Sequence, residues 1–238
     1  MVKIGLCGFT IGIAEYLETF PVVEIQHTFY EPPPATTMAR WRDQASPGFE
    51  FTIKAWQVIT HRGTSSTYRK VKTPLTEKQK LECGAFQVND TTRAAWERTR
   101  EAARTLRATA ILFQCPASFK PLPENVANMR ALFAAIDRPT NVRFLWEPRG
   151  AWPDDLVREL CVDLGLTHVV DPFLRATVTP DFVYFRLHGL GNAYRAYTDD
   201  ELRRLLEMAS TGAPAYVMFN EIPRVADSKR FRKLLGPR

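Results

Sequence analysis

Short apolar runs, rich in Val, Ile and Phe, recur along the chain with amphipathic segments between them. They predict strands at about 3–8, 22–28, 49–55 and 109–115, then at about 142–147, 166–171, 182–188 and 215–220. The runs are nearly continuous rather than alternating, as expected of parallel strands covered on both faces. The intervening segments carry helix signals. Pro153, Asp154 and Asp155 open one helix; Leu156, Val157, Leu160, Cys161 and Leu164 form its stripe, and Gly165 closes it. Thr198 to Glu201 reads as a capping box ahead of Leu202, Leu205 and Leu206. Asn89 or Asp90 can cap a helix over about 91–107 with Trp96, Ala103 and Leu106 on its inner stripe. The Arg and Glu residues on the rest of that helix read as a solvated face.

Eight strand–helix units in 238 residues predict one TIM-like (β/α)8 barrel domain over residues 1–238. A doubly wound open sheet is the runner-up. The dinucleotide fingerprint GxGxxG and the P-loop are both absent. Residues 56–90 form a long connection after the third strand, with Arg62, Arg69, Lys70, Lys72, Lys78 and Lys80 outnumbering its acids. It reads either as a basic lid over the barrel mouth or as a decorated surface hairpin or extra helix.

Composition narrows the class. With 45% hydrophobic and 24% charged residues, the chain is globular rather than disordered or fibrous. It has no apolar run long enough to span a bilayer, and Met1 to Gly5 lead straight into a strand with no signal-peptide layout. The expectation is a cytoplasmic protein with no membrane partner. Lys and Arg exceed Asp and Glu by 32 to 26, a net +6 that admits a phosphorylated or nucleic-acid partner without requiring one. Cys7, Cys83, Cys115 and Cys161 form no CxxC pair and read as buried, reduced thiols.

The chemistry gathers at the strand ends, where a barrel places its active site. Glu24 and Gln26 come from strand two, Lys54 from strand three, Gln114 from strand four and Glu147 from strand five. Asp171 ends strand six, Arg186 and His188 share a face of strand seven, and Asn220 ends strand eight. Buried polar groups on successive strands imply a network, a ligand site, or both. Two chemistries fit. Glu24 and Glu147 can act as paired carboxylates, one acid and one base or nucleophile. Alternatively Glu147, Asp171 and His188 can hold a divalent metal, with Lys54 or Arg186 on a substrate anion. His27 has the opposite parity to Glu24, His168 reads as core, and His61 starts a loop that can reach the mouth.

Several motifs, in order along nearly the whole chain, resemble the YecE-like family, domain of unknown function 72. They are Gly5-Leu6-Cys7-Gly8-Phe9; Val23 to Tyr30; Trp41; Pro47-Gly48-Phe49, Phe51 and Lys54; Thr60-His61; and Gln114, Pro116 and Phe119. Glu147, Arg149 and Trp152 follow, then Asp171, Arg186-Leu187-His188-Gly189, Tyr194, Tyr197 and Phe219-Asn220. The resemblance implies a TIM-like barrel and brings no established reaction. The chain departs from the family pattern around the pocket. Gln26-His27 stands where Asn-Ser is usual, Gly150 where a His often follows, and Glu221 where a second Asn often follows; the Thr10 to Phe20 loop lacks the family's tryptophans.

Three functions stay open at this point. The first is an enzyme, a hydrolase of a sugar-like or phosphoester substrate, with Glu147, His188 and Glu24 catalytic. Lys54, Arg186, Gln114, Asp171, Asn220, Arg149 and Tyr194 would bind a small polar or anionic ligand. The second is a nucleic-acid-binding or nucleic-acid-processing protein using the basic 56–90 segment and Trp56, Tyr68, Tyr194 and Tyr197 as stacking platforms. The third is a ligand-binding barrel without turnover.

Overall fold

The computed structural model describes residues 1–236. Eight parallel strands close into a barrel in sequence order: β1 (Val2–Cys7), β2 (Val22–Ile25), β3 (Glu50–Lys54), β4 (Ala110–Gln114), β5 (Arg143–Glu147), β6 (Leu166–Val170), β7 (Val183–Leu187) and β8 (Ala215–Phe219). β8 pairs back onto β1, with Gly5 opposite Met218. All eight predicted strands are present. The second is shorter than its apolar run, because His27–Tyr30 turns into a one-turn helix.

Main helices cover the outside: Ala35–Gln44, Asp90–Leu106, Pro123–Ala135, Asp154–Asp163, Asp199–Ala209 and Arg224–Leu234, with the short Ile13–Thr19 after β1. The predicted capping box is formed: Thr198 accepts from the Glu201 backbone N–H while Glu201 reaches back. Asn89 caps the long helix, using Thr92 as its reciprocal partner. The crossover from β6 to β7 has no helix; His168 Nδ1 accepts from Val178 N at 3.2 Å to fix that loop.

Strand alternation gives two apolar cores. Outward residues such as Val23, Ile25, Phe51, Ile53, Ile111 and Phe113 meet the helices. Inward residues Cys7, Val22, Ala110, Leu112, Leu145, Val169, Tyr184, Tyr216 and Met218 fill the barrel. All four cysteines are free and buried. At the N-terminal ends of the strands a polar cluster closes the barrel: Glu50 accepts from Lys3, from Tyr216 and, at 3.0 Å, from Thr109. Tyr16 ties the first two strands together by accepting from Leu6 N at 2.8 Å and donating to Val22 O at 2.9 Å.

The 56–90 connection is an anchored insert. It holds a 3-10 turn, Ser66–Lys70, and a short helix, Glu77–Glu82, and no hairpin forms among the described residues. Its neck is pinched by backbone bonds from Gly84 N to Val58 O at 2.8 Å and from Phe86 N to Ile59 O at 3.0 Å. Glu31 grips its far side through the backbone N–H groups of Lys72 and Thr73. No helix of the described residues is long and apolar enough to cross a membrane.

Gly5 sets how tightly β1 approaches its neighbours. A Cβ there would lie 2.5 Å from Val22 O and 2.7 Å from Met218 Cε. Gly5→Ala is therefore expected to destabilise the fold by about 1–3 kcal/mol through overpacking. Denaturant unfolding checks this; an unchanged midpoint would show that β1 can move aside.

Candidate functional site

Inward-facing residues at the C-terminal ends of the strands converge on one side chain, Arg186. It is only 1% exposed. Nε donates to Glu24 Oε2 at 3.1 Å and Nη2 to Glu24 Oε1 at 2.9 Å. Nη1 donates to Glu147 Oε2 at 2.5 Å and to Gln114 Oε1 at 3.2 Å. Nη2 also approaches Cys7 Sγ at 3.7 Å. These contacts account for all five guanidinium donors. Arg186 is thus the internal counter-charge of two carboxylates, and no donor is left to face a ligand.

Glu24 is fully buried and saturated. Besides Arg186 it accepts from Tyr184 Oη at 2.9 Å and from Gln26 Nε2. Glu147 is shared differently. Its Oε2 meets Arg186, while Oε1 meets Arg149 Nε at 3.2 Å and His188 Nε2 at 3.2 Å. Burial pushes the Glu147 carboxyl up, but the Arg186 charge, the His188 hydrogen bond and the Arg149 charge outweigh it and hold it well below 4.5. Glu147 is therefore a fixed anion.

His188 stands one level out, 27% exposed at the side chain. Its backbone N–H is held by Asp171 Oδ2 at 3.0 Å. Gly189, at φ +80°, turns the chain immediately after it; a Cβ there would strike Asn192 O at 2.4 Å. Asn220 Nδ2 lies 3.1 Å from His188 Nδ1. An amide N–H only donates, so this orientation makes Nδ1 the acceptor and puts the ring proton on Nε2, facing Glu147. Arg149 Nη2 stands 3.5 Å from Nε2, and its side chain is 40% exposed. Arg149 is the cation of this group that reaches solvent.

Lys54 projects inward from β3 and is buried. Nζ donates to Gln114 Oε1 at 2.8 Å and sits 3.9 Å above the centre of the Phe29 ring. Burial first, then the Arg186 charge, pushes its ammonium down to about 7. His61 is buried, with Nδ1 2.8 Å from Thr60 Oγ1 and its ring against Phe29. Burial, then the Lys54 charge, pushes it down to about 4.

The structure thus brings together Glu24, Gln26, Lys54, Gln114, Glu147, Arg149, Arg186, His188 and Asn220. Asp171 plays another part: Oδ1 takes the N–H of Phe173 at 3.1 Å and Oδ2 that of His188, so its carboxylate orders the backbone of the rim. Tyr194 is 79% exposed and enters none of the ring's hydrogen bonds among the described residues. Three side chains of the site were not among the expected residues. Tyr184 and Cys7 lie on the inward parity of their strands, a signal that was there to use. Phe29 lies beyond the end of β2, where no strand parity applies.

The metal alternative does not fit this donor set. Among the described residues no group of three or more His, Cys, Asp or Glu side chains is arranged to hold a metal ion. Asp171 spends both oxygens on backbone N–H groups, and Glu147 is already neutralised by guanidinium groups. Of the four aromatics expected to stack on bases, Tyr197 is buried against Phe173, Tyr68 donates to His61 O, and Trp56 donates to Tyr30 O. Size does not mark the site either. A groove of about 880 Å³ opens at the opposite end of the barrel, lined partly by Phe20, Phe49, Lys229 and Arg232.

Arg186→Met should destabilise the protein by about 3–5 kcal/mol, because it leaves two buried carboxylates without their counter-charge. Chemical denaturation checks the size; a loss under about 1 kcal/mol, in the range of an exposed pair, would contradict it. Glu147 also sets an acid dependence. Its folded pKa is depressed, so its contribution is complete above 4.5 and is lost as pH falls through the lower folded value. Glu147→Gln should be less stable at neutral pH and lose less stability on acidification. An acid profile parallel to the wild type would place that linkage on another group.

The comparisons with known proteins agree with this architecture. A DUF72 family protein from Enterococcus faecalis superposes with a TM-score of 0.77 at 22% identity, covering 100% of this chain and 98% of the other. One from Thermotoga maritima gives 0.71 at 22% identity, covering 100% of both chains. More distantly, endonuclease IV from Thermus thermophilus gives 0.55 at 11% identity over 98% of each chain. A xylose isomerase domain containing protein from Salmonella typhimurium gives 0.54 at 12%, over 98% of this chain and 94% of the other. At these identities the likeness is one of fold. No protein of curated function matches the sequence. The model of the family described as protein of unknown function DUF72 matches residues 10–238, and the chain belongs to that family.

Proposed function

We propose that the protein is an enzyme whose barrel mouth moves a proton on a small, anionic, sugar-like substrate, using its own side chains. The observation that carries this reading is the Glu147–His188–Asn220 arrangement: a fixed buried anion on Nε2, and Nδ1 held by an amide, in a ring that is partly exposed. A carboxylate in this position holds the imidazole in one tautomer and stabilises the imidazolium that forms when Nδ1 takes a proton. Asn220 marks the place where a substrate hydroxyl or a water would bond instead. Arg149 offers the exposed donors for a carboxylate or phosphate.

Hydrolysis by a carboxylate pair is not the form this geometry favours. That chemistry needs one protonated acid beside the reacting bond. Here Glu147 is held ionised and Glu24 is sealed beneath the mouth by Arg186, Gln26 and Tyr184. Hydrolysis of a phosphoester by a water activated at His188 belongs to the same chemistry as the reading proposed. The likeness to an endonuclease IV and to a xylose isomerase domain supports the barrel alone; the ligand class comes from Arg149 and the polar ring.

The test is a panel of sugar phosphates and sugar acids incubated with the protein in D2O and followed by proton NMR. The expected result is cleavage or solvent deuterium uptake in one chemical class. His188→Asn should then lower kcat by about 10²–10⁴-fold with a nearly unchanged melting midpoint. Arg149→Met should act mainly on KM. Full turnover by His188→Asn would refute the assignment, and saturable binding without turnover by the wild type would make this a ligand-binding barrel.

A further inference from the structure

We propose that Lys54 is a carbonyl-capturing amine, forming a Schiff base with the aldehyde or ketone of an open-chain, sugar-like substrate at the barrel mouth. The inference deepens the acid–base reading above and rests on its substrate class.

A lysine buried inside a barrel is expected to meet a carboxylate. Lys54 does not: no ion pair of its ammonium occurs among the described residues, and its hydrogen bond there goes to the neutral Gln114 Oε1 at 2.8 Å. Both acids of the ring are already taken by Arg186. The same Gln114 oxygen accepts from Arg186 Nη1 at 3.2 Å, so a permanent cation lies just across one oxygen atom from Nζ. On another side the Phe29 ring, 3.9 Å away, gives an apolar wall and only a weak substitute for a counter-ion.

The groups whose charges reach Lys54 are Arg186 from β7, Glu24 from β2, Glu147 from β5 and Arg149 just beyond β5; His61 is held neutral first by its own burial and then by the Lys54 charge. Burial, with the Arg186 charge, wins over the two carboxylates and pushes the ammonium down to about 7, so the neutral amine is available near neutral pH. An ordinary lysine, with a pKa of about 10.4, is almost wholly protonated there. A desolvated lysine beside another cation is a recognised way to make a nucleophilic amine.

Position adds the second half. Lys54 ends β3 on the inward face, in the ring that carries His188. A continuous chain runs Lys54–Gln114–Arg186–Glu147–His188 through contacts of 2.8, 3.2, 2.5 and 3.2 Å. The amine and the proton-moving imidazole therefore belong to one rigid framework.

The step balances simply. The Nζ lone pair attacks the carbonyl carbon and forms a C–N bond while the C=O π pair moves to oxygen. One N–H proton passes to that oxygen, giving a carbinolamine. A proton from solvent then lets the oxygen leave as water. The nitrogen keeps one proton and becomes the iminium, and nothing is oxidised or reduced.

The test uses the full chain, glyceraldehyde as the probe and sodium cyanoborohydride as the hydride donor that fixes any iminium as a stable secondary amine. Peptide mass mapping then reads the adduct at each lysine. At pH 7 Lys54 should be modified at least about tenfold faster than the exposed Lys78, given the larger neutral fraction of its amine. Its rate should rise through pH 7 and then level off. Lys54→Arg should lose that adduct and keep those at the surface. Modification at Lys54 no faster than at Lys78 would overturn the proposal, whether because the amine is charged or because the probe cannot reach it. The readout is a covalent mass rather than turnover, so failure here leaves the His188 assignment standing. Failure of the His188 test leaves the adduct standing.

Discussion

One guanidinium holds the inside of this barrel together. Arg186 takes two carboxylates, an amide oxygen and a thiol as partners, and each of those comes from a different strand. Desolvating three charges is costly, and the arrangement is tolerable only because every donor and nearly every lone pair has a partner. The constraint propagates outward. Glu24 is fixed, so Tyr184 and Gln26 are oriented. Glu147 is kept anionic, so His188 is held in one tautomer and Arg149 is drawn to the mouth. Gln114 is shared, so Lys54 is left without a carboxylate of its own.

This makes two tiers with different work. The lower tier, Arg186 with Glu24, Tyr184 and Cys7, is buried, with Gln114 half-buried at its edge, and it sets charge and orientation. The upper tier, His188, Asn220 and Arg149, keeps exposed atoms and can meet a ligand. Lys54 lies at the boundary. Asp171 and Gly189 serve the upper tier indirectly, by setting the path of the backbone beside His188.

The eight strands could be read from the apolar runs because a parallel barrel covers both strand faces and leaves little alternation to mislead. The apolar run extends past the strand at Gln26 to Thr28, since a one-turn helix of His27, Thr28, Phe29 and Tyr30 continues the pattern without a period of its own. The ring itself was visible through strand parity, which brought Glu24, Lys54, Gln114, Glu147 and Arg186 together correctly. Parity says which way a residue faces, however, and not what it touches there. Asp171 turned toward backbone N–H groups, Arg186 was consumed by its neighbours, and Tyr194 stayed in solvent. Tyr184 shares the face of Arg186 two residues on, but as an aromatic in an apolar run it passed for core. Phe29 came from beyond the strand and was out of reach of any periodicity.

The pinched neck of the 56–90 insert has a consequence for how this barrel can be altered. Backbone bonds between Val58–Ile59 and Gly84–Phe86 close the excursion before it leaves the barrel, so residues beyond the neck form a loop whose ends are already joined. The entropy of closing such a loop grows only slowly with length. The outer part, from the 3-10 turn through the short helix, is therefore a graftable module. Changes there leave the strand pairing untouched, and the ties a replacement has to keep include Glu31 on the Lys72 and Thr73 backbone and the Tyr68 hydroxyl on His61 O.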